Sequence, residues 1–186
     1  MALTSGTKLG PYQILSAIGA GGMGYYDLPA QRLKRVSLDG SGKPEALPHS
    51  SDFQGLILWQ NMGMSTDGTS LAYVVEVVNT DTQEAARKIA LFNLESPISP
   101  RLLDANPQIS GTVQFTPDKK AVAYPIRDSG VDNLWVQPLD GSAGRLITNF
   151  KSDQIAGFHW SPDGKKIAVL REHWESVVVL IEETKP

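Results

Sequence analysis

The chain has 186 residues, 41% hydrophobic and 20% charged, with a formal net charge of −3. That is the composition of a folded domain with a real core, not of a disordered chain. Mild acidity without a run of Lys or Arg excludes an electrostatic grip on nucleic acid or anionic lipid. The absence of cysteine excludes disulfides and thiolate metal sites.

In chain order, the opening "MALTSGTKLGPYQ" lacks the basic start and apolar core of a signal peptide. No apolar run approaches the ~20 residues of a membrane span, and a cytoplasmic location is the expectation. Next comes "IGAGGMGYY", Ile18 to Tyr26, with Gly19, Gly21 and Gly24 at the spacing of a loop that wraps phosphates. The segment "LTSGTKLGPYQILSAIGAGGMG", Leu3 to Gly24, resembles the start of bacterial serine/threonine protein kinases, where such glycines let backbone N–H groups approach ATP.

The resemblance stops at Gly24. Tyr26 stands where that family places Val, and "YDLPAQRLKRVSLDG" contains no Val-Ala-Ile-Lys strand. There is no His-Arg-Asp and no Asp-Phe-Gly, for "SDFQG" at Ser51 to Gly55 has one residue too many. Without the Lys, the base and the metal-binding Asp, phosphoryl transfer has no machinery. Residues 1–24 therefore read as a vestigial kinase-like leader, with Gly19, Gly21 and Gly24 as the remains of a nucleotide loop. No catalytic residue, metal ligand or working cofactor is expected.

Residues 25–186 repeat. "MSTDGTSLAYVV" from Met64, "FTPDKKAVAYPI" from Phe115 and "WSPDGKKIAVLR" from Trp160 share one pattern. Each has an apolar residue, Ser or Thr, Asp at position 67, 118 or 163, and then an alternating apolar run. A second string follows within each period: "LKRVSLDGSGKPEAL", "KIALFNLESPISPRLL" and "LWVQPLDGSAGRLIT". The turn chemistry is explicit: Pro presets φ, Asp bonds nearby N–H groups and Gly accepts φ > 0. Gly164 is expected at positive φ, and Lys119 in the matching place at a strain of order ~1 kcal/mol.

Four short antiparallel strands in roughly 45 residues make a propeller blade. The core "[FW]-S/T-P-D-G-K-x-I-A" resembles the PD40, WD40-like repeat of the TolB family of β-propellers over Leu33 to Ile181. Bacterial kinases of the type above often carry such a propeller, so the two resemblances agree. The expected fold is all-β: a partial propeller of about three and a half blades behind a short leader. One blade spans 53–104, with strands at Gly55–Met64, Ser70–Val78, Arg87–Leu94 and Arg101–Asp104. A second spans 108–149. Residues 154–182 supply three strands, and residues 32–48 the last two of an earlier blade. A strand from 43–48 is a candidate to cross and complete the last blade. Otherwise an open arc, or pairing of two chains, is expected.

Other chemistry is thin. "GSGK" at Gly40 to Lys43 is a hairpin turn rather than a phosphate loop, since Pro44 replaces the Ser or Thr that would hold magnesium. No serine lies in Gly-x-Ser-x-Gly. His49, His159 and His173 are solitary, and His159 faces either the core or the central channel. Asp67, Asp118 and Asp163 read as turn residues rather than a calcium set. Trp59, Trp135, Trp160 and Trp174 read as core. The sequence thus describes a non-catalytic binding or scaffold propeller with a protein partner, prone to homo-oligomerise, with no nucleic acid and no membrane. The alternatives are an ATP-binding kinase fragment and a nonfunctional remnant.

Overall fold

The computed structural model describes residues 8–9, 12–13, 23–27, 32–36, 45–49, 56–79, 81–96, 98–161 and 163–173. All regular structure among them is β. Strands β1 (Lys8–Leu9) and β2 (Tyr12–Gln13) form a small hairpin, with Lys8 opposite Gln13. The first blade is β3 (Met23–Asp27), β4 (Arg32–Val36) and β5 (Glu45–Ala46). The second is β6 (Leu56–Met64), β7 (Ser70–Val78), β8 (Ala85–Asn93) and β9 (Arg101–Asp104). The third is β10 (Gln114–Phe115), β11 (Ala121–Asp128), β12 (Val131–Pro138) and β13 (Arg145–Leu146). The fourth shows β14 (Gln154–Trp160) and β15 (Ile167–Glu172). Every sheet is an antiparallel meander in chain order.

The apolar residues run continuously through the central strands, because both faces of a blade are covered. Leu71, Tyr73 and Val75 of β7 pack with Leu33 and Leu47 of the first blade. The alternate residues Ala72 and Val74 pack with Val122, Tyr124 and Ile126 of the third. Ala123 and Leu134, on the third blade's other face, meet Ile155 and Phe158 of the fourth. Each large buried side chain contributes about 1.5–3 kcal/mol relative to exposure. A blade parted from its neighbours forfeits that on both faces.

The three Asp turns have one design. Oγ of Ser65, Oγ1 of Thr116 and Oγ of Ser161 each donate to Oδ1 of Asp67, Asp118 and Asp163 at 2.6 Å. The same hydroxyls accept the N–H of Ser70, Ala121 and Lys166 at 3.0, 3.1 and 2.9 Å. Each Asp Oδ1 also accepts a backbone N–H two residues on, from Thr69, Lys120 or Lys165. These donors hold Asp118 and Asp163 below the usual carboxylate pKa, the hydroxyl contributing most. The turn needs positive φ at the next residue, which is +72° at Gly68, +57° at Lys119 and +68° at Gly164.

A buried charge ties the third blade to the fourth. Asp132 is 1% exposed. Arg127 donates Nε to its Oδ1 at 2.7 Å and Nη2 to its Oδ2 at 2.9 Å. The backbone N–H of Ile155, in β14, donates to Oδ2 at 2.9 Å, and Ser110 Oγ to Oδ1 at 3.3 Å. Burial pushes this carboxyl's pKa up, but the donors outweigh it and leave the value below the ordinary one.

Two sequence expectations change. The first blade has three described strands rather than two, because Met23–Asp27 pairs with β4. The 43–48 segment, a candidate to cross to the last blade, is instead paired locally: Glu45 and Ala46 pair with Arg35 and Lys34 in their own sheet. A local β4–β5 pairing costs less loop-closure entropy than one spanning the whole chain. The third strand expected for the last blade lies outside the described residues.

Asp132→Ala leaves the Ile155 N–H without its acceptor and Arg127 without its partner. We expect a loss of about 3 kcal/mol in urea unfolding at pH 7. Because the folded pKa of Asp132 is lowered, its contribution is complete above the unfolded value, about 3.9. It is lost as pH falls below that value and through the folded one. The gap between wild type and variant should therefore narrow below about pH 4. Lys119→Gly relieves strain of about 1 kcal/mol but removes an ion pair from Lys119 Nζ to Asp67. That pair is exposed, so it is worth about 0–1 kcal/mol and is screened by salt. The variant should melt near wild type at low salt and clearly above it in 1 M NaCl, ~1 M being where the Debye length falls to about 3 Å. A melting difference that ignores salt would contradict this.

Candidate functional site

Strands β6, β10 and β14 are the first in their sheets and lie together on the inner side of the blades. Two details bring them close. Gly63 of β6 lies against the backbone between Val113 and Gln114; a Cβ there would fall 2.2 Å from the Val113 carbonyl oxygen. Gln114 of β10 donates its Nε2 to the Phe158 carbonyl of β14 at 2.5 Å. Between these strands opens a cleft of about 720 Å³.

The walls follow the repeat. The pairs Gly63-Met64, Gln114-Phe115 and His159-Trp160 occupy equivalent places before the three Asp turns, and all six line the cleft. Met62, Pro117 and Ala156 extend its apolar surface, while Thr66, Thr112 and Ser161 add hydroxyls. Among the described residues, the lining contains no Lys, Arg, Asp or Glu. Such a surface desolvates apolar groups and offers a few hydrogen bonds. Methionine thioethers adapt to varied shapes. At Gly157 an added Cβ would meet nothing within 4 Å, so this face of β14 is open.

The residues singled out in the sequence fall in different places. Gly19 and Gly21 lie outside the described residues, and Gly24 stands in β3 opposite Arg35. His159 is exposed on the cleft side. His49 is in the turn after β5, and His173 Nδ1 is 3.0 Å from Asp153 Oδ1 at the end of β15. Among the described residues, no three His, Asp or Glu are placed to hold a metal. Trp135 is packed in the core between the second and third blades. Trp160 reaches from the cleft into the contact between the third and fourth. Trp174 lies outside the described residues, and only the backbone of Trp59 is described. The cleft residues Gly63 and Gln114 carried a sequence signal, their equivalent places four residues ahead of Asp67 and Asp118, but a glycine and a polar side chain read as ordinary strand positions; Gly157 carried none.

No family model matches the sequence, and no curated protein matches it. Solved structures do match in fold. TolB from Acinetobacter baumannii aligns over 81% of this chain and 35% of its own, with 20% identity and a TM-score of 0.58. The β-propeller domain of the Trilobed protease from Pyrococcus furiosus aligns over 62% and 33%, with 19% identity and a TM-score of 0.46. A TolB described as putative, from Agrobacterium tumefaciens, aligns over 81% and 69%, with 16% identity and a TM-score of 0.41. The fold is a partial β-propeller, similar to that of TolB. The chain spans about a third of the length of the Acinetobacter protein.

Glycine substitutions test this geometry. Gly63→Ala forces β6 away from a backbone that cannot yield, at a cost of about 1–3 kcal/mol. Gly157→Ala should stay within about 0.5 kcal/mol of wild type. Thermal unfolding of both variants should rank them in that order.

Proposed function

We propose that this chain is a non-catalytic propeller module that binds a protein partner through the inner cleft. The observation that carries this is the cleft's lining: among the described residues, three equivalent residue pairs, apolar walls and scattered hydroxyls without a fixed charge. An apolar, extended peptide segment suits that surface, since strand backbone and thioethers accept varied side chains. The kinase-like string at Leu3 to Gly24 beside the repeats supports descent from the sensor or docking propeller of a bacterial serine/threonine kinase.

A displayed library of random linear peptides, selected on the immobilised protein, tests the reading. Recovered peptides should be apolar or aromatic, and Gly157→Trp, which fills the cleft from an open position, should abolish their binding while leaving the melting temperature unchanged. Peptides that bind the variant equally well would place the interface elsewhere. Saturable binding of a fluorescent ATP analogue, lost in Gly21→Val, would favour the kinase-fragment reading instead.

A second reading concerns self-association. Leu170 of β15 is 67% exposed, whereas Val74, its equivalent in the second blade, is 1% exposed against the next blade. We propose that a second copy covers this flank. Sedimentation velocity should show a concentration-dependent dimer that Leu170→Glu converts to monomer. A wild-type monomer across the accessible range would refute the pairing.

A further inference from the structure

The contact between the third and fourth blades holds a second opening, of about 610 Å³. Val136, Ile147, Pro117 and Trp160 wall it, and Asp118, Asp163 and Arg145 lie at its rim. It differs from the preceding contact, between the second and third blades, at one telling place. There Lys119, in the turn of the third blade, sends its ammonium across to Asp67 in the turn of the second. That contact, more than any other, holds the Asp67 carboxyl well below the ordinary carboxylate range. In the next repeat Gly164 occupies the place of Lys119 and Asp118 the place of Asp67. Gly164 has no side chain, and its Cβ position is 3.2 Å from Pro117 Cβ and Cγ. Among the described residues, Asp118 receives Thr116 and its own turn's N–H but no ammonium from the fourth blade.

We propose that this opening is a binding site for a lysine side chain of a partner polypeptide. The chain itself shows the fit, because Lys119 and Asp67 make the same contact one blade earlier. The opening is lined by two carboxylates and one guanidinium, and Lys120 acts on Asp118 only from within its own turn, leaving the side toward the fourth blade for an incoming ammonium. The Trp160 ring gives the alkyl stem and the ammonium an aromatic wall. The indole Nε1 of Trp160 is buried with no hydrogen-bond partner. A polypeptide supplies carbonyl oxygens beside its lysine, and a small ring rotation toward one of them satisfies that donor. The opening shares Pro117 and Trp160 with the inner cleft, but Asp118, Asp163 and Arg145 line it alone, so Asp118→Asn separates binding here from binding in the cleft.

The test uses the full chain labelled with ¹⁵N, in which each tryptophan gives one indole N–H signal and Trp160→Phe assigns the one of interest. The probes are Nα-acetyl-lysine methylamide, the norleucine analogue that lacks only the ammonium, and n-butylamine, which lacks the carbonyls. The lysine probe should move the Trp160 signal saturably, with a dissociation constant of roughly millimolar order, as a single anchoring side chain gives. Asp118→Asn keeps the turn's hydrogen bonds through the amide oxygen and removes the charge. It should weaken the lysine probe about tenfold, as loss of a charge-assisted contact does. The norleucine analogue and n-butylamine should both bind more weakly than the lysine probe. No movement with the lysine probe, equal binding of the norleucine analogue, or indifference to Asp118→Asn would overturn the site. Equal binding of n-butylamine would overturn the polypeptide as its source.

Discussion

Tyr73 and Val74 are neighbours in β7, and both are fully buried, on opposite faces of one sheet. A strand that is apolar on both sides has no free face, so its sheet folds only between two others. Each consequence of the architecture follows from this. The second blade needs Leu33 and Leu47 of the first, the third needs Ala72 and Val74 of the second, and the fourth leans on Ala123 and Leu134. Stability is then a chain of nearest-neighbour terms rather than one central core. The polar contact at Asp132 reinforces one link in that chain, since a carboxylate from the third blade captures a backbone donor of the fourth.

That constraint explains which features were legible beforehand. The Asp turns were, because Ser or Thr, Asp and Gly do their work within six residues, and local hydrogen bonding writes itself into local sequence. The strands around them were legible for the same reason: β7 lies where its apolar run and its turn put it, at Ser70–Val78. Lys119 at positive φ was legible because the repeat specifies the backbone and the residue merely complies. Strand β3 was missed. "MGYYD" has no alternation, and its pairing with Arg32 to Val36 rests on contact with another segment. The role of Asp132 was equally hidden. Nothing around "VDNLW" shows that its aspartate is 1% exposed and bonded to a residue 23 positions away.

The inner cleft belongs to an intermediate class. Its residues stand in equivalent places, but what they form depends on distances between strands of different blades. Those distances are fixed by a missing side chain at Gly63 and by one amide at Gln114. A sequence repeat records what each blade must keep for itself. It is nearly silent on what three blades make jointly.

The departures from the repeat therefore carry information that the repeat cannot. At the turn position after each Asp, the backbone asks for glycine. Gly68 and Gly164 comply, and Lys119 accepts positive φ instead. Strain of about 1 kcal/mol is comparable to the most an exposed ion pair returns, about 0–1 kcal/mol. The lysine is thus close to neutral for folding, and stability alone gives no reason for it. What the substitution does change is the surface: it neutralises Asp67 and occupies the contact between the second and third blades. Glycine at 164 leaves the next contact open and its Asp118 unneutralised across the blades. Two contacts of one architecture, one filled by the chain itself and one open, differ by a residue that the fold barely feels. That is where a repeat protein is free to place recognition, because a change there alters chemistry at the surface without disturbing the neighbour-on-neighbour packing that every blade requires.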